Sequence, residues 1–339
     1  MLKSKMIRVG IVGVGATVAI AHNHIRAFQN VKGSRVSALY SRNINSVKIV
    51  AEKLCPDALA AESFGQLLDN CDAVVVCTPN SWHFQYASEA LKARKHVLLE
   101  KPMGVDIAQS EMLCDLVTSQ TVAAVGYCNR FLPAVVQAKK LIESNFKRIY
   151  SVDVSHGGLR LANASVGFEW RMDKKLSGKG SVCDFGSHVI DLVGYLCNAR
   201  FDRMACFSKM YITHRTDSDG QNRLVENDDC SVAVASGDTL LSLVTSRVGL
   251  DGLHVEISGD GGIIRFDDSL HCNFRYLFKQ CDKGYTSTWQ TFEVTQDRQQ
   301  VFDRQASAFI DAVNGKPSEC ATFAEALYAE KLLSKCSQL

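Results

Sequence analysis

Proline is scarce in this sequence: five in 339 residues. That excludes a proline-rich recognition segment or a stiff spacer, and it makes each proline's position informative. Neither charge sign dominates. A net charge of +2 excludes the one-sided basic surface that a nucleic-acid partner needs. Beyond the N-terminal segment, no apolar run is long enough to span a bilayer. Cysteine is plentiful, with thirteen residues, but they are scattered, odd in number and form no C-x-x-C pair. This excludes a disulfide framework or a zinc ribbon, and suits reduced thiols in a cytosol. At 22% charged and 46% apolar, the chain has the composition of an ordinary globular protein, and its length suggests two domains.

The N-terminus resembles a secretory signal. Lys3 and Lys5 precede an apolar run that ends in Ala19-Ile20-Ala21. Two features oppose that reading: Arg8 interrupts the run, and the glycines are spaced for another task. The segment is expected to remain as a strand, Ile7–Val12, in a cytoplasmic protein.

The first third alternates strand and helix. Apolar strands are expected at Ile7–Val12, Val36–Tyr40, Asp72–Thr78 and His96–Glu100, with a weak one near Ala58–Ala61 and a last one from Thr121. Helices are expected over Val18–Gln29, Ile44–Leu54, Trp82–Ala93 and Asp106–Ser119. Unalternated apolar strands joined by helices indicate a parallel sheet covered on both faces, the doubly wound Rossmann pattern. From Ile149 the pattern changes to strands with turns, including "CSVAVAS", "LLSLVTS" and a hairpin signal at Gly259–Gly262. A polar loop is expected at Thr216–Asn222, and helices from Asp303 and up to Lys335. The expected division is residues 1–126, the doubly wound domain, and 127–339, a second domain; the resemblance given below implies NAD(P) binding for the first, and substrate binding and oligomerisation for the second. The final helices are free to pack back on the first domain.

A doubly wound sheet binds ligands at the carboxyl ends of its strands. After the first strand comes "GVGATV". Gly13 permits a tight turn, and Gly15 lets a pyrophosphate approach the backbone at the following helix N-terminus. Ala16 and Thr17 complete the candidate loop. Val18 stands where a third glycine is often found, so a plain glycine turn is the competing reading. The second strand ends in Ser41-Arg42-Asn43. No acid is there to grip both ribose hydroxyls. Ser41 and Arg42 suit a 2′-phosphate and favour NADP(H), with NAD(H) still admissible. A solvated arginine is the alternative.

Two of the five prolines end neighbouring strands. "CTPNSWH" places Thr78 and Pro79 at one strand end, with Asn80 a possible helix cap and His83 one turn in. "HVLLEKPMG" places Glu100, Lys101 and Pro102 at the next. A strand end on the surface is one reading of Lys101; a lysine held rigidly over a pocket is the other. The coincidence of the two prolines favours a shaped cleft.

"TPNSWH", "KHVLLEKPMG" and "VGYCNRFLP" together resemble the glucose–fructose oxidoreductase / inositol dehydrogenase / MocA family, over nearly the whole chain. The resemblance implies an NAD(P)-dependent oxidoreductase with a Rossmann domain followed by an α+β domain built on a large, mostly antiparallel open sheet. It places Lys101 beside the nicotinamide and the substrate hydroxyl, in a cleft between the domains. Glu100 and Asn129 join the expected cofactor contacts. It assigns Asp184 and His188 to the substrate pocket, with Trp170 and Arg171 lining it. The sheet is expected to form a homodimer or homotetramer. Two departures stand out: the loop from Gly13 to His24 is longer than the commonest form, and Lys179 replaces a usual glycine.

Asp184, His188 and Asp191 fall at i, i+4 and i+7, which on one helix share a face. A structural carboxylate–imidazole pair and a pair of metal ligands are both readings of that spacing. No third ligand is placed by spacing, and no metal is expected. The expected reaction is reversible hydride transfer between a nicotinamide and a carbinol carbon of a sugar, polyol or related compound. His188 is the expected general acid/base, Asp184 orients hydroxyls, and Lys101 stabilises alkoxide character, or moves the proton itself. Two rivals remain: a non-catalytic dinucleotide sensor, and a glycoside hydrolase that retains its nicotinamide.

Overall fold

The structure is a computed structural model that describes residues 6–15, 19–177, 180–227, 229–280, 284–285 and 289–336. Ala16, Thr17, Val18 and Lys179 lie outside the described residues. The chain divides into two compact units, residues 1–128 with 298–327, and residues 129–297 with 328–339.

The first unit is built on strands β1 (Ile7–Val12), β2 (Ser34–Tyr40), β3 (Leu59–Ala60), β4 (Ala73–Val76), β5 (His96–Leu99) and β6 (Ala123–Val125). They pair in parallel in the order β6-β5-β4-β1-β2-β3. A late strand, Ala321–Thr322, runs antiparallel beside β6. The apolar strands have no polar face because both faces are covered. Ala73 and Val75 enter one core with Ile25, Phe28 and Phe309; Val74 and Val76 enter the other with Leu67, Tyr86 and Leu113. Helices α1 (Ala19–Asn30), α2 (Ile44–Leu54), α4 (His83–Lys92) and α5 (Ile107–Asp115) follow the strands as expected, within a few residues. One further helix, α3 (Phe64–Asp69), was not expected. It is too short to show a helical period, and is started by Ser63, whose Oγ accepts from Gln66 N at 3.1 Å. Helix α5 ends early because Thr118 and Thr121 close a turn: Thr121 N donates to Thr118 O, and Thr118 N donates to Thr121 Oγ1. The strand order reverses direction between β1 and β4, which opens a crevice at their carboxyl ends.

The second unit carries helices α6 (Pro133–Asn145), α7 (Lys174–Ser177), α8 (Ser181–Asp184) and α9 (Gly186–Cys197). Its strands are β7 (Ile149–Gly157), β8 (Phe201–Lys209), β9 (His214–Thr216), β10 (Asn222–Leu224), β11 (Cys230–Gly237), β12 (Leu240–Ser246), β13 (Gly252–Gly259), β14 (Gly262–Asp267), β15 (His271–Gln280), β16 (Gly284–Tyr285) and β17 (Gln290–Thr295). The large sheet runs β16-β15-β14-β13-β7-β12-β11-β8, with β17 on β15. Among the described residues of this sheet, only β7 and β12 pair in parallel. β13 and β14 form the expected hairpin, with Gly259 opposite Gly262. The expected loop lies between β9 and β10, which pair antiparallel. Two-residue alternation buries one face: Val152 and Val154 on β7, Leu241 and Leu243 on β12, Val255 and Ile257 on β13.

Candidate active site

In the first unit, a cavity of about 250 Å³ lies at the carboxyl ends of β1, β2 and β4, lined among others by Gly13, Gly15, Ser41, Arg42, Thr78 and Pro79. Gly13 has φ 91°, and a Cβ on it would meet the Cys77 carbonyl carbon and Thr78 N at 2.7 Å. Only glycine brings β1 this close to the end of β4. Gly13 N donates to Tyr40 O at 3.0 Å, which ties the turn to β2 as well. Gly15 O receives His22 Nε2 at 3.0 Å. The Thr78 Oγ1 is buried without a hydrogen-bond partner among the described residues. A polar atom left so at a cavity wall fits a site whose ligand supplies the missing bond. Arg42 is exposed and stacks its guanidinium 5.0 Å from the Trp82 ring centre, at the cavity wall. Ser41 Oγ lies 3.4 Å from Asn43 N, and Asn43 caps α2. These residues fit a dinucleotide phosphate cradle with a cation at its ribose end.

The neighbouring strand end is held from inside. The Lys101–Pro102 peptide is cis. Glu100 N donates to Val76 O at 3.0 Å, and the Glu100 carboxylate accepts from His24 Nε2 at 2.8 Å. A Cβ on Gly126 would stand 2.8 Å from Glu100 Oε1, so the glycine makes room for this acid. Glu100 is 12% exposed and His24 1%. His24 came unannounced by the sequence; its ring packs edge-on against Phe302 at 5.1 Å. His83 is buried with Nδ1 2.7 Å from Pro102 O and Nε2 2.8 Å from Thr78 O. The expected cap at Asn80 did not form: α4 starts without a side-chain cap after a 3-10 turn, Asn80–Trp82, in which Trp82 N bonds to Pro79 O. Burial disfavours the thiolate form of the thiols nearby. Burial pushes Cys128 up to about 11, with Glu100 adding to it, and Cys77 well above its ordinary value.

In the second unit, Asp184, His188 and Asp191 do not share one continuous helix. The helix divides at Phe185, whose carbonyl is shared between Val189 N at 3.2 Å and His156 Nδ1 at 3.4 Å. The two acids then take separate partners. Asp191 is bound by Arg130 through two bonds, Nε to Oδ2 at 2.9 Å and Nη2 to Oδ1 at 2.6 Å, both side chains almost fully buried. Asp184 is 25% exposed and accepts from Arg247 Nη2 at 3.2 Å. The buried Arg247 also donates from Nη1 to Arg171 O at 3.2 Å, which joins Asp184 to the Trp170–Met172 turn. Ser177 Oγ and Asn227 Nδ2 donate to the same carbonyl. Arg171 stacks on Trp170, with 4.4 Å from the guanidinium carbon to the ring centre. The His188 ring lies edge-on to His156, 5.7 Å centre to centre. Asn129 sits half-buried in a 3-10 turn, Cys128–Phe131. No group of three or more His, Cys, Asp or Glu that could hold a metal ion occurs among the described residues.

Arg247 and His156 had a signal in the sequence. Each continues the inward row of its strand: Leu241, Leu243, Thr245, then Arg247; Val152, Val154, then His156. A charged or polar residue in step with a buried row is a candidate site residue, because burial without a partner is costly.

A glycine turn at the switch point of a parallel sheet fits a dinucleotide, and an α/β unit with polar side chains collected at α8 and α9 follows it in the chain. Residues 7–127 match a family described as oxidoreductase, NAD-binding Rossmann fold, and residues 139–338 match its C-terminal alpha/beta domain. The chain belongs to the glucose–fructose oxidoreductase / inositol dehydrogenase / MocA family. It is 29% identical over 262 residues to glucose-6-phosphate 3-dehydrogenase of Bacillus subtilis, covering 75% of this chain and 72% of that one. Levoglucosan dehydrogenase, solved with NADH and levoglucosan, superposes with a TM-score of 0.86 at 20% identity, over 97% of this chain and 95% of that one. The transcriptional regulator Gal80p from Kluyveromyces lactis superposes with a TM-score of 0.83 at 18% identity, over 98% and 89%. Fold alone therefore does not separate catalyst from regulator. No helix among the described residues is long and apolar enough to cross a membrane.

Proposed function

We propose that this protein interconverts a carbinol and a carbonyl on a sugar, polyol or related compound, with NADP(H) favoured over NAD(H). The observation that carries the reading is the strand-end edge of the first unit: the glycine cradle, the Thr78 hydroxyl and Arg42 around one cavity, with Lys101 at the end of the next strand. When bound, the nicotinamide accepts or donates hydride at its C4. Lys101 stabilises alkoxide character on the substrate oxygen. His188 takes or returns the hydroxyl proton, since imidazole titrates near neutral pH. Asp184, held by Arg247, orients hydroxyls, and Trp170 and Arg171 line the pocket. Gly13, Gly15, Ala16 and Thr17 cradle the phosphates. Ser41 and Arg42 take the 2′-phosphate, since no acid stands there to repel it. The named dehydrogenases among the relatives support a sugar-like substrate. A screen of sugars and polyols with both dinucleotides, followed by absorbance of the reduced nicotinamide, tests the reading. Turnover of none, with the dinucleotide still bound tightly, would favour a sensor; sugar release without net reduction would favour the hydrolase.

The large sheet supports a homodimer. Across its open face, Ser242, Asp153, Glu256, Arg265 and Arg275 stand side by side on five neighbouring strands. Two acids followed by two arginines make a row that complements itself when turned by a two-fold axis. Sedimentation of an Arg265→Glu, Arg275→Glu variant should give monomer; a dimer unchanged by this reversal would remove the sheet face as the interface. The free thiols, twelve among the described residues, support a cytoplasmic location.

A further inference from the structure

His83 does not point at the cavity; it bridges two strand ends. One ring nitrogen meets the carbonyl of Thr78, a cavity-lining residue at the end of β4, and the other meets the carbonyl of Pro102, next to Lys101 at the end of β5. The ring is 1% exposed, so water does not compete for either bond. We propose that His83 is a positioning residue that sets the Lys101 turn against the dinucleotide cavity by bridging these two carbonyls. The proposal rests on the reading of Lys101 given above.

The bridge has a proton requirement. Both partners are acceptors, and a neutral imidazole has a single N–H. Only the imidazolium donates to both. Burial, the largest influence, draws the His83 pKa below 6.5, and the charge of Lys101 acts the same way; the Pro102 and Thr78 bonds and the charge of Glu100 oppose it. Glu100 and Lys101 are the charged groups that face the ring. The bridge is therefore complete on the acid side and falls to one bond as pH rises, at which point the tautomer decides which turn is held.

Two amide variants separate the bonds. The amide nitrogen of His83→Asn falls near the Nδ1 position and keeps Pro102; that of His83→Gln falls near Nε2 and keeps Thr78. Two readouts follow them, on the acid side where the parent ring makes both bonds: NADPH dissociation by fluorescence, and the rate at which Lys101 is acylated, by peptide mass spectrometry. His83→Asn should weaken NADPH binding roughly 2–10-fold, the worth of one hydrogen bond, with Lys101 labelling unchanged. His83→Gln should shift Lys101 labelling by a similar factor and leave NADPH binding alone. Parent-like values in both variants, or equal changes in both readouts, would overturn the proposal and leave His83 a packing residue. Ring nitrogen NMR of the unmodified protein decides the matter should either variant fail to fold. A second protonated nitrogen that appears only as pH falls below 6.5 is expected; one bare nitrogen throughout overturns it. Lys101→Ala distinguishes the two claims. If it keeps kcat, the role of Lys101 falls; if it loses kcat while the amide variants behave like the parent, only the bridge falls.

Discussion

The strand-end edge of the first unit and the α8–α9 segment of the second place their chemistry by opposite means. In the first, parallel strands all finish at one edge, so the backbone delivers Gly13, Thr78 and Lys101 to neighbouring strand ends, and the His24–Glu100 pair braces one of those ends from inside. In the second, two acids a helix turn or two apart are each fixed by an arginine from elsewhere, Arg247 and Arg130. Topology is robust to single substitutions, whereas a buried ion pair is not, because removing one partner strands the other. The second region should therefore be the more fragile in folding, and both should be sensitive in catalysis.

The largest expected effect is catalytic. His188→Asn should lower kcat roughly 10²–10⁴-fold, the usual worth of general acid/base catalysis. Dinucleotide affinity should barely move. Lys101→Ala should also lower kcat. The double variant should be little worse than the poorer single one, because groups that act in one step are not additive. A His188→Asn protein with near-normal kcat would transfer the proton role to Lys101; full activity in both would dismantle the comparison.

The next effect is on folding. Arg130→Met removes the guanidinium that binds the buried Asp191 carboxylate through two bonds and should destabilise by about 3–5 kcal/mol in urea unfolding. Arg247→Met should be milder, since Asp184 is 25% exposed and water reaches it. Equal losses would show that exposure does not grade the two pairs.

At the first unit's edge, Arg42→Ala should weaken NADP(H) by about 1.5–3 kcal/mol, as for a hydrogen bond to a charged group, and leave NAD(H) unchanged. Equal dissociation constants for the two dinucleotides in the parent would end the preference.

The smallest effect is at a hairpin on the second unit. The Asp260 carboxylate accepts from Lys147 N at 2.9 Å and Arg148 N at 3.0 Å, and the Arg148 bond, then the Lys147 bond, holds it below 3.8. A carboxyl depressed in the folded state adds stability above pH 3.8, which fades as pH falls through the lower folded value. Asp260→Asn should thus lower Tm slightly at neutral pH, with the gap closing in acid. A gap that persists in acid would assign the effect to packing.

Much of the first unit was legible because a strand buried on both faces leaves an uninterrupted apolar run, and "DAVVVCT" and "HVLLE" are such runs. Helix α3 was not, since six residues show no period. Gly13 announced its turn, while the loop that follows, Ala16 to Val18, lies outside the described residues. In the second unit, the spacing of Asp184, His188 and Asp191 suggested one face of one helix. The segment is two helices that meet at Phe185, and its two acids take arginine partners 63 and 61 residues away, which no local pattern records.

What the sequence by itself determined is the alternation of strand and helix, the strand-end positions of the glycine turn and of Lys101, the absence of an acid after Tyr40, and the switch to two-residue alternation beyond Ile149. Each is set by neighbours within a few residues, through burial period and backbone stops. What only the tertiary structure decided is which charges meet. His24 finds Glu100 across 76 residues, Arg130 finds Asp191 across 61, and Arg247 finds Asp184 across 63. Such pairs are chosen by the packing of distant elements: a buried charge must take whatever opposite group the fold brings within reach.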